Sequence, residues 1–337
     1  MKIELRRKDV LSILLTVVIT LVITLILLIL GGLMLYKTIL NRTISTLSST
    51  VGEMCANESV SYRGQIVIPK RRGSYQKDLA TILWDIGGAV GTSNCKISIP
   101  SPPYFTEQIP LLGSDIDTGI DTMYGYIFHA KDYKLKDRSE TINVAIFAFS
   151  GTFSSAQWND NLKFELIDAL RLRGFKIKSN KDENKQQGGI SELDYENRSV
   201  KIHKGFYEIY SSVRKQLWSW WNSNKSVDYL FITGRSLGGA LSTICAFDFA
   251  DELPTDHLVH YTFAAPRVGN MTFADIFNKR VPHSIRVFNT EDLVCNLPPV
   301  IWKGNDYRHT SNNLKAFTKN TGSVIDNHIE AYRELPE

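Results

Sequence analysis

The stretch Tyr229 to Leu253, YLFITGRSLGGALSTICAFDFADEL, restricts this chain more than any other. A β-branched and aromatic run, Tyr229 to Thr233, leads directly into a Gly-x-Ser-x-Gly turn at Gly234 to Gly238, and a long apolar helical pattern follows. Strand, sharp turn and helix in that order put a serine on a strained bend with its hydroxyl above the end of a sheet. Gly234 and Gly238 leave room for the neighbouring strand and helix. Ser236 is therefore the candidate nucleophile. The bare motif also occurs by chance as a glycine-rich helix start, so the weight rests on the strand before it and the helix after it.

The remainder of the chain supplies a frame for such a turn. Met123 to His129 and Thr141 to Phe149 read as neighbouring strands, and Val259 to Ala264 and Ser284 to Asn289 as later ones. Gln76 to Ile86, Leu162 to Leu172 and Val200 to Trp221 carry helical patterns, with Trp218, Trp220 and Trp221 read as packing residues. Pro100, Pro102, Pro103 and Pro110 exclude a regular helix between Cys95 and Ser114. Strands alternating with helices predict an α/β fold, a mainly parallel sheet covered by helices on both faces. At 337 residues, 43% of them hydrophobic, the chain is long enough for one large domain, which the pattern puts at 74–337.

Ahead of that domain, Val10 to Leu35 carries no charged residue and is long enough to cross a bilayer. No small-residue cleavage site follows it, so it reads as one transmembrane signal anchor. Lys2, Arg6, Arg7 and Lys8 before the span outnumber Lys37 and Arg42 after it. That bias predicts a cytoplasmic N-terminus at 1–9, a polar stalk over 36–73 and an extracellular or lumenal catalytic domain. Five glycosylation tripeptides, at Asn41, Asn57, Asn197, Asn224 and Asn270, suit an exported glycoprotein. Of the four cysteines, Cys55 and Cys95 are candidates for a bridge, and Cys245 reads as a small buried apolar residue. The formal charge of +4 is not gathered into a basic stripe, which argues against a nucleic-acid partner. Asp115, Asp117 and Asp121 near Gly119 lack the closing glutamate of a calcium loop and read as a solvated turn, so no metal site is expected.

A serine nucleophile needs a base to take its proton and an acid to orient that base. On α/β sheets with this turn the chain order is serine, acid, histidine. Asp292 follows the strand Ser284 to Asn289 directly, where loops at strand carboxyl ends build sites. His309 and His328 both come after it, and chain order leaves both as candidates. One oxyanion donor is the backbone N–H after the serine, that of Leu237.

Seven blocks taken in order, MYGYIFHA, AIFAFSGT with the following Trp158 and Asp160, HKGFYEIY, GRSLGGAL, FAAPRVGN, RVFNTEDLVCNLPP and DNHIEAY, resemble the class 3 lipase family. These are the α/β-hydrolases typified by fungal triacylglycerol lipases, and the blocks cover about Thr122 to Tyr332. The resemblance implies Ser236 as nucleophile, Asp292 as acid and His328 as base, with Thr152 as the second oxyanion donor. It also implies a lid over Phe153 to Leu162, with Phe153 and Trp158 as its apolar contacts. Arg235 stands where the family usually has His, and Ser150 where it usually has Arg. The activity implied is cofactor-free hydrolysis of glycerolipid acyl esters through an acyl-enzyme. The alternatives are a phospholipase A-type acylhydrolase and a catalytically inactive, membrane-tethered binding protein; protein partners stay open.

Overall fold

The structure, a computed structural model, describes residues 60–92, 99–114, 119, 121–135, 139–151, 164–169, 199–302, 304–311 and 313–337. All of these lie in one compact unit, Val51–Glu337. The apolar run Val10 to Leu35, Cys55, Cys95, Asp115, Asp117, Thr152, Phe153, Trp158 and the tripeptides at Asn41, Asn57 and Asn197 lie outside the described residues. Among the described residues no helix is long and apolar enough to cross a membrane.

The chain runs α1 (Lys77–Thr92), β1 (Glu107–Ser114), β2 (Asp121–Lys134), β3 (Thr141–Phe149), β4 (Leu166–Asp168), β5 (Lys201–His203) and α2 (Lys204–Ser223). It continues through β6 (Tyr229–Arg235), α3 (Leu237–Asp248), β7 (Leu258–Phe263), α4 (Met271–Arg280) and β8 (Ser284–Asn289). After the 3-10 turn Val294–Asn296 come β9 (Ile301–Trp302), β10 (Asn305–Asp306), β11 (Asn313–Phe317), α5 (Val324–His328) and the 3-10 turn Glu330–Tyr332. The main sheet has the order β1-β2-β3-β6-β7-β8-β11. Its first two pairings are antiparallel, and the four from β3 to β11 are parallel.

Period-two alternation splits the apolar residues between two core layers. Ala145, Phe147 and Phe149 of β3 pack with residues of α2, α3 and α4, while Val144, Ile146 and Ala148 face α1 and the C-terminal Tyr332 and Leu335. Both faces of the central strands are thus covered, which is why they read as near-continuous apolar runs. The three tryptophans of α2 are buried in the first layer, with Trp218 stacked on Phe249 at 4.3 Å, and Cys245 is buried beside them.

Three expectations need correction. Within Leu162 to Leu172 no helix forms over the described part, because residues 166–168 pair instead with Lys201–His203 as a two-stranded ribbon. The predicted stalk over 36–73 ends before its last residues. Ile66 is buried, its N–H donates to the Tyr133 hydroxyl at 3.0 Å, and Arg63 pairs with Asp85 while donating to the Arg333 carbonyl at 2.8 Å. Apolar side chains at 60, 62, 66, 67 and 68 give that segment surface to bury, so it joins the domain rather than leading to it. Asn270, read as a glycosylation acceptor, is only 8% exposed. Its side chain caps α4 by accepting from the Phe273 N–H and donates to the Ser199 carbonyl, so a glycan there is incompatible with this packing.

Candidate active site

The turn between β6 and α3 holds Ser236 at φ +54 and ψ −123, a left-handed backbone conformation that L-residues adopt only under constraint. The constraints are visible. The Ser236 N–H donates to the Phe263 carbonyl at 2.9 Å, and its carbonyl accepts from Gly239 at 2.9 Å as α3 begins. A side chain on Gly234 would run into the Gly238 carbonyl, and one on Gly238 into the Phe149 carbonyl of β3. The two glycines are required because strand, turn and helix backbones touch there.

From that bend the serine hydroxyl reaches His328, with Oγ 2.8 Å from Nε2. His328 ends α5, a short helix capped by Ser323, and its Nδ1 lies 2.9 Å from each carboxylate oxygen of Asp292. Asp292 sits in the loop after β8, wholly buried, and accepts further hydrogen bonds. The Val294 N–H donates to Oδ1 at 2.9 Å, the Tyr332 hydroxyl to Oδ2 at 2.8 Å and the Cys295 thiol to Oδ2 at 3.4 Å. Three chain segments separated by 56 and 36 positions therefore converge on one hydrogen-bonded row, Ser236 to His328 to Asp292. In it a neutral imidazole whose Nδ1–H points at the carboxylate presents Nε2 as an acceptor to the serine proton.

His309, the second histidine that chain order allowed, is turned away from this row. Its Nε2 donates to the Cys295 carbonyl at 2.7 Å, and burial, reinforced by Arg286 and Arg267, pushes its imidazole down to about 3. It stays neutral and holds the backbone of the acid loop.

Leu237 opens α3, so its N–H has no intrahelical acceptor and is available beside the Ser236 hydroxyl. Gly151, past the end of β3, lies alongside the same turn: a Cβ on it would be 3.5 Å from the Arg235 carbonyl and 3.7 Å from the Ser236 Cβ. The next residue is Thr152. Ser150 is buried, and its N–H donates to the Tyr124 carbonyl at 2.9 Å, which ties the strand end to β2 without an arginine.

Arg235 faces the opposite side of the elbow. Its guanidinium lies 3.7 Å over the ring centroid of Trp84, and Trp84 stacks in turn on Tyr332 at 5.2 Å. The Gly87-Gly88 pair of α1 gives the arginine its room, since a Cβ on Gly87 would come within 3.1 Å of the Arg235 Cδ. Arg235 also lines a cavity of about 280 Å³ with Arg63, Trp84, Asp85 and Arg333, among others, and none of Ser236, Asp292 and His328 lines it. Cation–π stacking thus accounts for Arg235 as part of the α1 to β6 packing. Sequence reasoning did not find Tyr332 or Cys295 as partners of Asp292; the only signal was their position inside the blocks RVFNTEDLVCNLPP and DNHIEAY.

Residues 146–302 match the family model described as Lipase (class 3), a span that includes Ser236 and Asp292 and stops short of His328. Among curated relatives, a secreted mono- and diacylglycerol lipase of Fusarium solani is 35% identical over 114 residues, 33% of this chain and 32% of its own length. A lipase of Rhizomucor miehei is 33% identical over 128 residues, 34% of each chain. A chloroplastic phospholipase A(1) of Arabidopsis thaliana is 25% identical over 219 residues, 61% of this chain and 44% of its own length. The chain thus spans about a third of the length of the first two relatives and under half of the third. Among solved structures, the native Rhizomucor miehei lipase propeptide complex aligns with a TM-score of 0.48 and 19% identity, over 79% of this chain and 78% of that one. The sheet order, with a Gly-x-Ser-x-Gly elbow between β6 and α3, is that of an α/β-hydrolase.

Proposed function

The chain is a class 3, fungal-lipase-like protein, and on that premise we propose that it is a serine hydrolase of glycerolipid acyl esters. One observation carries the reading: the unbroken row from the strained Ser236 through His328 to Asp292, with contacts of 2.8 and 2.9 Å. In this reading His328 Nε2 takes the Ser236 proton as Oγ attacks the acyl carbonyl, and Asp292 stabilises the imidazolium that forms. The tetrahedral oxyanion is met by the N–H groups of Leu237 and Thr152. Collapse expels the alcohol, protonated by His328, and leaves the acyl group on Ser236; water activated by the same imidazole then releases the fatty acid.

The lid role of Phe153 and Trp158 is part of the same proposal and rests on the resemblance alone. Support for the substrate class comes from the relatives, two of which are named for mono- and diacylglycerols and as a phospholipase A(1). Purified full-length chain should hydrolyse a short nitrophenyl ester and at least one of a triacylglycerol, a diacylglycerol and a phosphatidylcholine offered as emulsions. Ser236→Ala should abolish all of these activities. A folded wild-type chain inert toward the whole panel would support the inactive, binding-protein reading instead.

A membrane tether completes the proposal. Its support is the uncharged run Val10 to Leu35 with four basic residues before it. A tethered active site keeps a lipid substrate at high local concentration. The chain should stay in the membrane pellet after alkaline extraction, and deleting 1–35 should release it; extraction of the intact chain by alkali would refute the tether.

A further inference from the structure

Cys295 is the residue around the proposed acid whose chemistry the mechanism has not used. It sits in the 3-10 turn Val294–Asn296, three positions after Asp292, and is 4% exposed. Both of its polar ends are engaged. Its carbonyl accepts from His309 Nε2 at 2.7 Å, and its Sγ lies 3.4 Å from Asp292 Oδ2 and 3.7 Å from the Tyr332 hydroxyl oxygen. Tyr332 already donates its one proton to the same Oδ2, at 2.8 Å, and accepts from the Asn289 N–H at 2.9 Å. The tyrosine therefore has no hydrogen left for the sulfur, and the thiol must be the donor of the pair. Of the two oxygens within its reach, the carboxylate is both nearer and charged.

We propose that Cys295 is a positioning residue of the hydrolytic site, its thiol donating to Asp292 Oδ2 so that the carboxylate is locked in the plane that meets His328. The inference rests on the assignment of Asp292 and His328 made above. The job of Asp292 is to hold the imidazole in one tautomer and one orientation, and that improves as its lone pairs are occupied by fixed donors. Without the thiol, Oδ2 keeps Tyr332 and His328 but loses its third donor, and the carboxylate turns more easily about the Cβ–Cγ bond. The thiol keeps its proton across the working range, because burial and the Asp292 charge hold it well above its ordinary value. The titratable and charged groups facing it are Asp292 on its own loop, Tyr332 from the C-terminal turn and Arg286 from β8. Behind its carbonyl lie His309, neutral above about 3, and Arg267. A substitution at 295 changes none of these.

The sign of the effect follows. A donor to a carboxylate draws charge away from the imidazolium, so removing the thiol strengthens the carboxylate's pull and moves the acid limb of the kcat/KM profile to higher pH. The looser carboxylate also lowers kcat and leaves KM alone, since Cys295 lies behind Asp292 and away from the serine.

The test uses the full-length chain, a soluble nitrophenyl ester and the variants Cys295→Ala, Cys295→Val and Cys295→Ser, beside Ser236→Ala. The alanine and valine variants lack a donor, and valine fills the space. Both should lose about fivefold in kcat at unchanged KM, the scale of one ordinary hydrogen bond, as suits a weak thiol donor. Both should also shift the acid limb upward, while the serine variant recovers kcat and limb toward wild type. Serine falling as far as alanine, or all three variants matching wild type while Ser236→Ala is inactive, would overturn the positioning role and leave the hydrolase reading standing. Activity persisting in Ser236→Ala would overturn the hydrolase reading itself, and the positioning role with it.

Discussion

At the scale of single residues, the hydrogen-bonded row from Ser236 ends on one buried carboxylate. Asp292 has no exposed surface, and hydrogen bonds from His328, Tyr332, Cys295 and the Val294 N–H meet its two oxygens. Asp292→Asn preserves the shape and reverses the hydrogen-bond polarity toward His328 Nδ1, which forces the wrong tautomer. The expected cost is about 10³- to 10⁴-fold in kcat with KM within a few-fold, on the scale seen for this change in a serine triad. Steady-state kinetics on a nitrophenyl ester measures it, and a loss below tenfold would show that His328 does not depend on Asp292. The serine, the acid and the pair of candidate histidines were legible in the sequence, because chain order and strand-end logic constrain them. Choosing between His309 and His328 was beyond those arguments. Both follow the acid; the family resemblance pointed to His328, and the distances separate the histidine that touches Ser236 from the one that holds the Cys295 carbonyl.

At the scale of elements, Asp248 ties α2 to α3 beneath the elbow. It is buried at the last turn of α3 and accepts from the Tyr210 hydroxyl at 2.8 Å, Arg214 at 2.7 and 2.8 Å and the Trp218 indole at 2.8 Å, all from α2. Each of these three side chains is a donor, so Asp248→Asn turns one acceptor into a donor facing donors and strips Arg214 of its counter-charge. Breaking such a buried pair costs about 3 kcal/mol or more. Urea unfolding should show it as a lower midpoint at unchanged slope, and a change under 1 kcal/mol would mean the cluster relaxes onto water. This cluster was not readable in advance, since four side chains over 39 positions meet only when two helices pack. Element type was readable wherever burial on both sides wrote a continuous apolar run. Ser284–Asn289 falls on the predicted strand, and α1 and β2 begin within two residues of theirs. β1 was obscured by Pro110. It is an edge strand, paired on one side only, where a missing N–H can face away from the ladder. The short β4 was mistaken for helix because three residues carry no period of their own, and its pairing with β5 is what makes it a strand.

At the scale of the whole molecule, the core contains a histidine that must stay neutral. His260, on β7, is buried between Ser242 Oγ at 3.2 Å and Ser284 Oγ at 2.8 Å, and burial pushes it from 6.5 down to about 3. The unfolded chain binds a proton at this group below about 6.5 that the folded chain refuses until about 3. Stability from it is therefore complete above the unfolded value and is lost as pH falls through that window. The slope is about 1.4 kcal/mol per pH unit for one such group. Urea midpoints measured from pH 7 to pH 4 should fall, and His260→Gln should flatten that dependence while lowering stability at pH 7. An equally steep fall in the variant would assign the acid sensitivity to other groups. The packing of residues 60–68 against α1 and β2 also belongs to this scale. It places the start of the folded domain before residue 74, and the signal was an apolar cluster within a stretch whose polarity dominated its reading.

The central claim is that Ser236 is an activated nucleophile, and one measurement addresses it without depending on the choice of substrate. Full-length chain treated with a fluorophosphonate and analysed by intact-mass and peptide mass spectrometry should carry one adduct per chain, on the peptide containing Ser236. Labelling should be lost in Ser236→Ala and slowed by orders of magnitude in Asp292→Asn. A folded chain that takes up no label, or carries it on any residue other than Ser236, would contradict the account.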